Sequence, residues 1–269
     1  MKMYNSNVLL VEDNPVNQEV GRTMMEAFRC RVDVASNGSE VLDRMESNRY
    51  DIVFMDCEMP VMDGLEATRL IRQREKQQGR PRTTIVALTA HAADQDRSRC
   101  LEAGMDDYLG KPFRMQDLSR MMEKWRVRIC AWDSAPSSKG FLSDSGPPEN
   151  VTENYLDRSS LDNIRSLGPN GPRMLFTVIG IYLNDSPILI DRLSETFDAA
   201  DMEGLAKVAH ALKSASAALG AATLAAMCKQ VEDIARGNSM DSAGRLISRI
   251  RLEYGKAKEA LKREIQEGF

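Results

Sequence analysis

Cysteine and histidine are scarce in this sequence, and neither falls into a metal-binding pattern. The five cysteines among 269 residues are odd in number and scattered, with no CxxC pair and no Cys/His ligand spacing: Cys30, Cys57, Cys100, Cys130 and Cys228. This argues against a disulfide framework and against a zinc site. Dispersed cysteines are typical of a reducing compartment, so we expect a cytoplasmic protein.

Excess charge of one sign and long hydrophobic runs are also lacking. The 36 basic and 40 acidic residues leave a net charge of −4 and are dispersed, which argues against nucleic acid as a partner. The longest uncharged stretch, residues 214–228, is too short and too rich in alanine and glycine to cross a bilayer, and residues 1–6 are no signal peptide. We expect no membrane contact by this segment, which can still be the cytoplasmic part of a membrane-bound protein.

The chain is long enough for two domains, and its two halves differ in periodicity. In residues 1–130, short β-type runs alternate with amphipathic ones, which predicts an α/β domain of five βα units with a parallel sheet. Residues 131–152 are rich in Ser, Pro, Gly and Asp and predict a flexible linker, and residues 153–269 are predicted to be all-α. The predicted strands are residues 8–11, 32–35, 52–55, 85–88 and 107–110, and the predicted helices are residues 15–29, 38–47, 64–78, 93–103, 114–128, 172–198, 202–219, 222–235 and 242–267.

Polar side chains follow four of the predicted strands where each strand ends. Glu12 and Asp13 follow the first strand, Asp56 the third, Thr89 the fourth and Lys111 the fifth. Ligands bind at the carboxyl edge of an open parallel sheet, so we expect these side chains in one crevice. Three crowded carboxylates stay ionised only beside a compensating cation, and all-oxygen ligands suit Mg²⁺. The chemistry that this arrangement suggests is phosphoryl transfer onto a carboxylate.

Asp56 is the expected nucleophile, because it ends the central strand and precedes a loop that can wrap a phosphate. Each residue also has an ordinary interpretation. Asp13 or Asp63 alone would be a helix N-cap, Thr89 a loop hydroxyl and Lys111 a surface lysine. The agreement at four strand ends favours a site.

These motifs resemble a known family. Residues 7–128 are similar to the two-component receiver domain, a flavodoxin-like (βα)5 fold. The motifs that carry this resemblance are Val11-Glu12-Asp13-Asn14, Asp56-Cys57-Glu58-Met59-Pro60-Val61-Met62-Asp63-Gly64, Leu88-Thr89-Ala90 and Gly110-Lys111-Pro112-Phe113.

The resemblance implies a role for each motif residue at the metal. It implies that Asp56 is the phosphoacceptor and that Asp13 binds Mg²⁺ directly. Glu12 would act on the ion through water, and the backbone carbonyl of Glu58 would be a further ligand.

The resemblance also implies contacts to the phosphoryl group. Lys111 and Thr89 would bind it, and the Lys111-Pro112 peptide bond would be cis. Tyr108 matches an aromatic switch position that rotates as Thr89 moves. Tyr108 can equally be a half-buried strand aromatic.

The second half contains one of the two histidines, His210, in a predicted helix. At 100° per residue, His210 lies opposite the apolar stripe and is predicted to face solvent. The stripe is Leu205, Val208, Leu212, Ala215 and Leu219, and the residues around His210 are Ala206, Lys213, Ser214 and Ala217. A histidine on such a small-residue surface can enter another protein's crevice and carry a phosphoryl group.

Two ordinary interpretations of His210 compete with this one. It can be an exposed histidine without a role or a metal ligand, although a second histidine or a cysteine at ligand spacing is lacking. The other histidine, His91, is expected at the surface and is assigned no chemistry.

The segment from His210 to Ser216 resembles the phosphohistidine motif of histidine phosphotransfer (HPt) domains, which are four-helix bundles. Ser214 departs from the glycine that this family generally has. The resemblance implies that Lys213 assists the phosphohistidine and that the domain has no ATP site.

Together the two resemblances predict a phosphorelay protein similar to the C-terminal part of a hybrid sensor histidine kinase. A histidine kinase core upstream, which can belong to the same polypeptide, would phosphorylate Asp56, and His210 would exchange the group with a downstream response regulator receiver. The sequence has no ATP-binding kinase core. The alternatives are a binding module whose His210 carries no phosphate, and a haloacid-dehalogenase-like phosphatase. The phosphatase is disfavoured because Glu58 stands where a second Asp is needed.

Overall fold

The computed structural model describes residues 4–89, 94–130, 156–167, 171–237 and 243–267. The linker predicted at residues 131–152 and the position of His91 lie outside these residues.

The first half forms a five-stranded parallel sheet in the order β2-β1-β3-β4-β5, as the periodicity predicted. Its elements are β1 (Asn7–Val11), α1 (Pro15–Ala27), β2 (Arg31–Ala35), α2 (Gly38–Ser47), β3 (Ile52–Asp56), α3 (Gly64–Gln78), β4 (Thr84–Thr89), α4 (Asp94–Ala103), β5 (Asp107–Gly110) and α5 (Met115–Cys130). This is the predicted flavodoxin-like fold, and the strand order reverses between β1 and β3.

Helices cover both faces of the sheet, which explains why its central strands are apolar without alternation. All five residues of β3 are buried. Successive residues of one strand join different apolar layers. Leu10, Phe54 and Leu88 belong to one layer, and Leu9, Val53 and Ile85 belong to the other.

The regular elements among the described residues of the second half are helices, as predicted. They are α6 (Arg158–Arg165), α7 (Gly171–Asp198), α8 (Met202–Ala218), α9 (Ala222–Arg236) and α10 (Ala243–Glu267). Asp201 caps α8, because its side chain accepts a hydrogen bond from the backbone N–H of Gly204. The four long helices α7 to α10 pack on one another around a shared apolar core.

Helix α7 is, by length and composition alone, apolar enough to cross a membrane. The core helices of helical bundles can be equally long and apolar. Val178, Tyr182 and Leu193 of α7 are fully buried inside this bundle.

The two halves are in contact. Helix α1 of the α/β domain packs against α7 and α8 of the helical domain. Asn14 caps α1 by accepting hydrogen bonds from the backbone N–H groups of Val16 and Asn17. The same side chain donates through Nδ2 to the carbonyl oxygen of Ala211 on α8, 3.1 Å away. The first turn of α1 is therefore part of the domain interface.

Gly64, at the start of α3, is required by close backbone packing. A Cβ atom at this position would lie 2.0 Å from the carbonyl oxygen of Asp56. We therefore expect Gly64→Ala to lower the free energy of unfolding of the α/β domain by roughly 2–3 kcal/mol, as other overpacked sites do. Urea denaturation followed by circular dichroism measures this change.

Gly110→Ala is the matched control, because an added Cβ there meets no atom within 4 Å. An equal loss of stability in both variants would contradict the steric explanation.

Candidate functional site

The carboxylates predicted at the strand ends lie together. Register explains this: Val11 pairs with Met55, so Glu12 and Asp56 follow side by side. Carboxylate oxygens of Glu12, Asp13 and Asp56 all lie within 4.8 Å of one another. The structure thus gathers the three acidic side chains at the carboxyl edge of the sheet, at the point where the strand order reverses.

Lys111 enters the same cluster from the end of β5. Its Nζ donates to Asp56 Oδ2 at 2.6 Å and to Glu12 Oε2 at 2.5 Å. Burial lowers the pKa of Lys111, but attraction to Asp56 and Glu12 outweighs burial and raises it. The Lys111-Pro112 bond is cis, as the resemblance implied.

The cluster fits a divalent cation. Burial, together with repulsion from Glu12, raises the pKa of Asp13 to about 6. Burial also raises the pKa of Asp56 to about 7, although Lys111 opposes this. One ammonium group therefore compensates three carboxylates incompletely, and a second cation with a preference for oxygen ligands would relieve the remaining repulsion.

Thr89 and Tyr108 lie near this edge. Thr89 ends β4, is buried, and accepts a hydrogen bond through its carbonyl oxygen from the Lys111 backbone N–H at 2.7 Å. Tyr108 is half-buried, and the Arg97 guanidinium lies 5.2 Å from the centre of its ring. Rotation of Tyr108 stays a prediction.

The Glu58 carboxylate belongs to a different cluster, formed with His210 and Glu232. Its Oε2 lies 2.9 Å from His210 Nδ1 and accepts from Arg236 at 2.5 Å. Burial raises the pKa of Glu58, but the hydrogen bonds from His210 and Arg236 outweigh it and lower the pKa. That the Glu58 backbone carbonyl binds metal stays a prediction.

The prediction that His210 faces solvent is wrong. Only 9% of the residue is exposed, and Lys213, predicted on the same open face, is equally covered. The face opposite the apolar stripe of α8 is covered by Glu232 of α9 and by Glu58 of the α/β domain. His210 is therefore buried at the boundary between the domains, not inside the core of the bundle.

The contacts of the imidazole determine which nitrogen can react. Nδ1 lies 2.9 Å from Oε1 of Glu232 and 2.9 Å from Oε2 of Glu58. The Lys213 ammonium, which only donates, lies farther from Nδ1, at 3.2 Å. Because the two nearer carboxylates only accept, the proton is assigned to Nδ1. Burial lowers the pKa of His210, but these hydrogen bonds outweigh it and raise the pKa to about 9. When the ring is neutral, the lone pair lies on Nε2, which is the nucleophilic atom.

Glu232 is a functional candidate that sequence reasoning missed. It is 2% exposed, and its Oε2 accepts from Lys213 Nζ at 2.7 Å. Lys213 thus pairs with the carboxylate that holds His210. The signal was present in the sequence, because Glu232 continues the four-residue spacing of the buried Leu224 and Cys228. A charged residue in an apolar stripe needs a buried partner.

Asn17 and Arg236 were also missed. Asn17 Nδ2 donates to Glu12 Oε1 at 3.0 Å and to Ser214 Oγ at 2.6 Å, so it joins the acidic cluster to α8. Arg236 bridges Glu232 and Glu58. No sequence pattern pairs residues that lie in different domains.

The two clusters open into one cavity between the domains. The cavity has a volume of about 680 Å³, and its lining includes Asp13, Asp56, Thr89, Lys111 and His210. A phosphate-sized group at Asp56 and the imidazole of His210 thus share one partly enclosed space.

Ser214 accepts a direct hydrogen bond between the domains. We expect Ser214→Ala, which removes only the acceptor for Asn17, to weaken docking by about 1 kcal/mol. That corresponds to a roughly fivefold larger undocked population. Energy transfer between dyes on exposed positions of the two domains measures it in the full chain.

Ser248→Ala is the matched control, because Ser248 is exposed and its hydroxyl donates only to Gly244 of its own helix. If both variants dock equally well, the contact between Asn17 and Ser214 does not stabilise the interface.

Two family models match the chain in succession. The response regulator receiver domain model matches residues 8–123, and the Hpt domain model matches residues 177–266.

Individual proteins match most or part of the chain. The aerobic respiration control sensor protein ArcB of Shigella flexneri is 28% identical over 256 residues, which cover 95% of this chain and 31% of ArcB. The sensor histidine kinase GacS of Pseudomonas protegens is 40% identical over 118 residues, 44% of this chain and 13% of GacS. The chain thus spans about a third or less of the length of these relatives.

Among solved structures, the chain is similar to the receiver domain of the Pseudomonas aeruginosa sensor histidine kinase PA1611, crystallised with a magnesium ion in its active site cleft. The identity is 45%, the match covers 45% of this chain and 98% of that one, and the TM-score is 0.42. The two successive family matches are decisive: the chain carries a response regulator receiver domain followed by an Hpt domain.

Proposed function

We propose that Asp56 accepts a phosphoryl group from an upstream phosphohistidine and exchanges it with His210 of the same chain. The observation that carries this proposal is the shared cavity, in which the Asp56 carboxylate and the His210 ring face one enclosed space together with Lys111. The cavity is partly enclosed, which limits the access of bulk water, and water would hydrolyse an acyl phosphate.

Mg²⁺ is the proposed cofactor, held directly by Asp13, Asp56 and the backbone carbonyl of Glu58 and through water by Glu12. When bound, it would neutralise the acidic cluster and withdraw charge from phosphoryl oxygens. Lys111 is already in contact with Asp56 and would compensate a further phosphoryl oxygen. Thr89, at the end of the neighbouring strand, would donate its hydroxyl to another.

Acceptance is a displacement at phosphorus. An Asp56 carboxylate oxygen forms a bond to phosphorus as the bond to the nitrogen of the donor histidine breaks, and the electron pair stays on that nitrogen. Asp56 must be ionised for this step, and the ammonium group of Lys111 favours its charged form.

Transfer to His210 follows the same pattern. Nε2 of the neutral ring attacks phosphorus, the bond to Asp56 breaks, and the carboxylate recovers its electron pair. Glu232 holds the Nδ1 proton and stabilises the positive charge that develops on the ring. Lys213, one helical turn from His210, would attract the phosphoryl oxygens and so assist the phosphohistidine.

The proposed partners are a histidine kinase core upstream and a response regulator receiver downstream. Because the docked receiver domain covers His210, the Hpt domain must separate from it before His210 meets another receiver. We propose that these events take place in the cytoplasm.

The stability of the bound radiolabel in acid and in alkali tests the proposal. Wild-type protein is incubated with a radiolabelled phosphorylated kinase core and Mg²⁺, and samples are treated with acid or alkali. Aspartyl phosphate is lost in alkali and phosphohistidine in acid, so we expect alkali-labile label first and acid-labile label later. Label that is stable to both treatments, or no label, would refute the proposed function.

A further inference from the structure

Two cysteines that play no part in the proposed phosphotransfer meet beside the phosphoacceptor. Sγ of Cys57 lies 3.5 Å from Sγ of Cys100. Cys57 directly follows Asp56 at the end of β3, and Cys100 belongs to α4. The two cysteines are 43 residues apart in the chain.

Cys57 is the accessible member of the pair. It is half-buried, whereas Cys100 is buried, and both cysteines line the same cavity as Asp56. Cys30 and Cys228 are buried, and no second pair of sulfur atoms is in contact within the part of the chain that the structure describes. Contact between two thiols, with an open path for an oxidant, distinguishes Cys57 and Cys100 from these.

We propose that Cys57 and Cys100 are a modification site, at which a hydroperoxide oxidises the two thiols to a reversible disulfide. The peroxide first oxidises one sulfur to a sulfenic acid and leaves as water or an alcohol. The second thiol then displaces the sulfenic oxygen as water. In balance, two thiols lose two electrons and two protons, and the peroxide takes them up. A dithiol reverses the reaction by thiol–disulfide exchange.

The disulfide would disturb Asp56, and this consequence rests on the proposed function. A disulfide needs an S–S distance of about 2.05 Å, so the sulfur atoms must approach each other from 3.5 Å. The Cys57 backbone cannot move alone, because its N–H donates to Leu88 and its carbonyl accepts from Gly64. The displacement is therefore shared with Asp56, and the loop after β3 becomes tied to α4.

The experiment uses the full chain under native conditions. Protein is incubated with hydrogen peroxide for hours, because Cys57 is only half-exposed and Cys100 is buried. Free thiols are then blocked, the protein is digested, and its peptides are mapped by mass spectrometry. We expect a peptide cross-linked between Cys57 and Cys100 that disappears after dithiothreitol. Acceptance of label by Asp56 should slow by at least about tenfold on oxidation and recover on reduction.

Cys100→Ser should abolish both the cross-link and the effect of peroxide, whereas Cys30→Ser, at a buried position outside the cavity, should retain both. Oxygen addition to Cys57 without a cross-link, or a cross-link that leaves the acceptance rate unchanged, would overturn the proposal. Reduced wild-type protein that accepts no label would instead refute the proposed function, because the cross-link is detected independently of phosphotransfer.

Discussion

Replacing His210 by glutamine is expected to leave the phosphoryl group on Asp56 and to abolish its delivery to a downstream receiver. Glutamine can occupy the space of the ring and keep an N–H donor towards Glu232 and Glu58, so docking should survive. It has no nucleophilic nitrogen, because the lone pair of an amide nitrogen is delocalised. The variant therefore lacks the nucleophile itself, and we expect no detectable delivery of the phosphoryl group to the downstream receiver.

The assay follows label from a phosphorylated kinase core through this protein to a separate receiver. Asp56→Asn is the paired variant: asparagine cannot form the acyl phosphate, so label from the core should not enter the chain at Asp56. His210→Gln should accumulate alkali-labile label instead. Label that reaches the receiver through His210→Gln would refute a phosphohistidine at this position and favour a docking role for the helical domain.

Removing the Glu232 carboxylate is expected to slow exchange between Asp56 and His210 by roughly 100-fold, as loss of a group that orients and stabilises a catalytic imidazole does in other sites. Glu232 accepts from both His210 Nδ1 and Lys213 Nζ. In Glu232→Ala the ring loses the partner that keeps the proton on Nδ1, and a buried ammonium group loses its counter-charge. Transfer rates from pulse-chase labelling measure the effect.

A second measurement, the pKa and tautomer of His210, distinguishes an effect of Glu232 on the imidazole from a purely structural role. The hydrogen bonds to Glu232 and Glu58 raise the pKa of His210 to about 9, so loss of the Glu232 carboxylate should move this pKa down towards the ordinary value. Ring ¹⁵N chemical shifts during a pH titration report the pKa and the tautomer. Glu232→Gln, which keeps an acceptor for Nδ1 without the charge, should recover part of the rate.

Asp233→Asn is the matched control, because Asp233 is the exposed neighbour of Glu232 on α9. It should change neither the transfer rate nor the tautomer. Equal effects of the two substitutions would mean that general electrostatics, and not the contact with Nδ1, govern His210.

The receiver half could be predicted closely from the sequence, because its signals are local. The runs that became β1, β3 and β4 are buried on both faces of the sheet and read as uninterrupted apolar segments. Once parallel pairing is assumed, polar residues at the strand ends must meet at one edge. Even the ordinary interpretation of Asp63 as a helix N-cap is confirmed, since it accepts from the Glu66 backbone N–H at 2.7 Å.

The environment of His210 could not be predicted in the same way. Helical periodicity identifies the stripe that a helix buries in its own bundle, but it does not reveal which residues a second domain buries. The face opposite the stripe of α8 therefore looked open, although Glu58 and the first turn of α1 cover it. Ser214 was noticed only as a departure from glycine, and its bond to Asn17 became visible only when the domains were placed together.

The order of residues by itself determined the (βα)5 sheet, the helical second half and the meeting of Glu12, Asp13, Asp56 and Lys111, because strand periodicity and parallel pairing follow from neighbours along the chain. Only the tertiary structure decided that His210 is enclosed, that Glu232 holds its Nδ1 and that Cys57 touches Cys100. These contacts join residues on separate elements, and they depend on how helices and domains pack. The spacing of Glu232 indicates that this carboxylate is buried, but a single sequence carries no local signal for the partner that it meets.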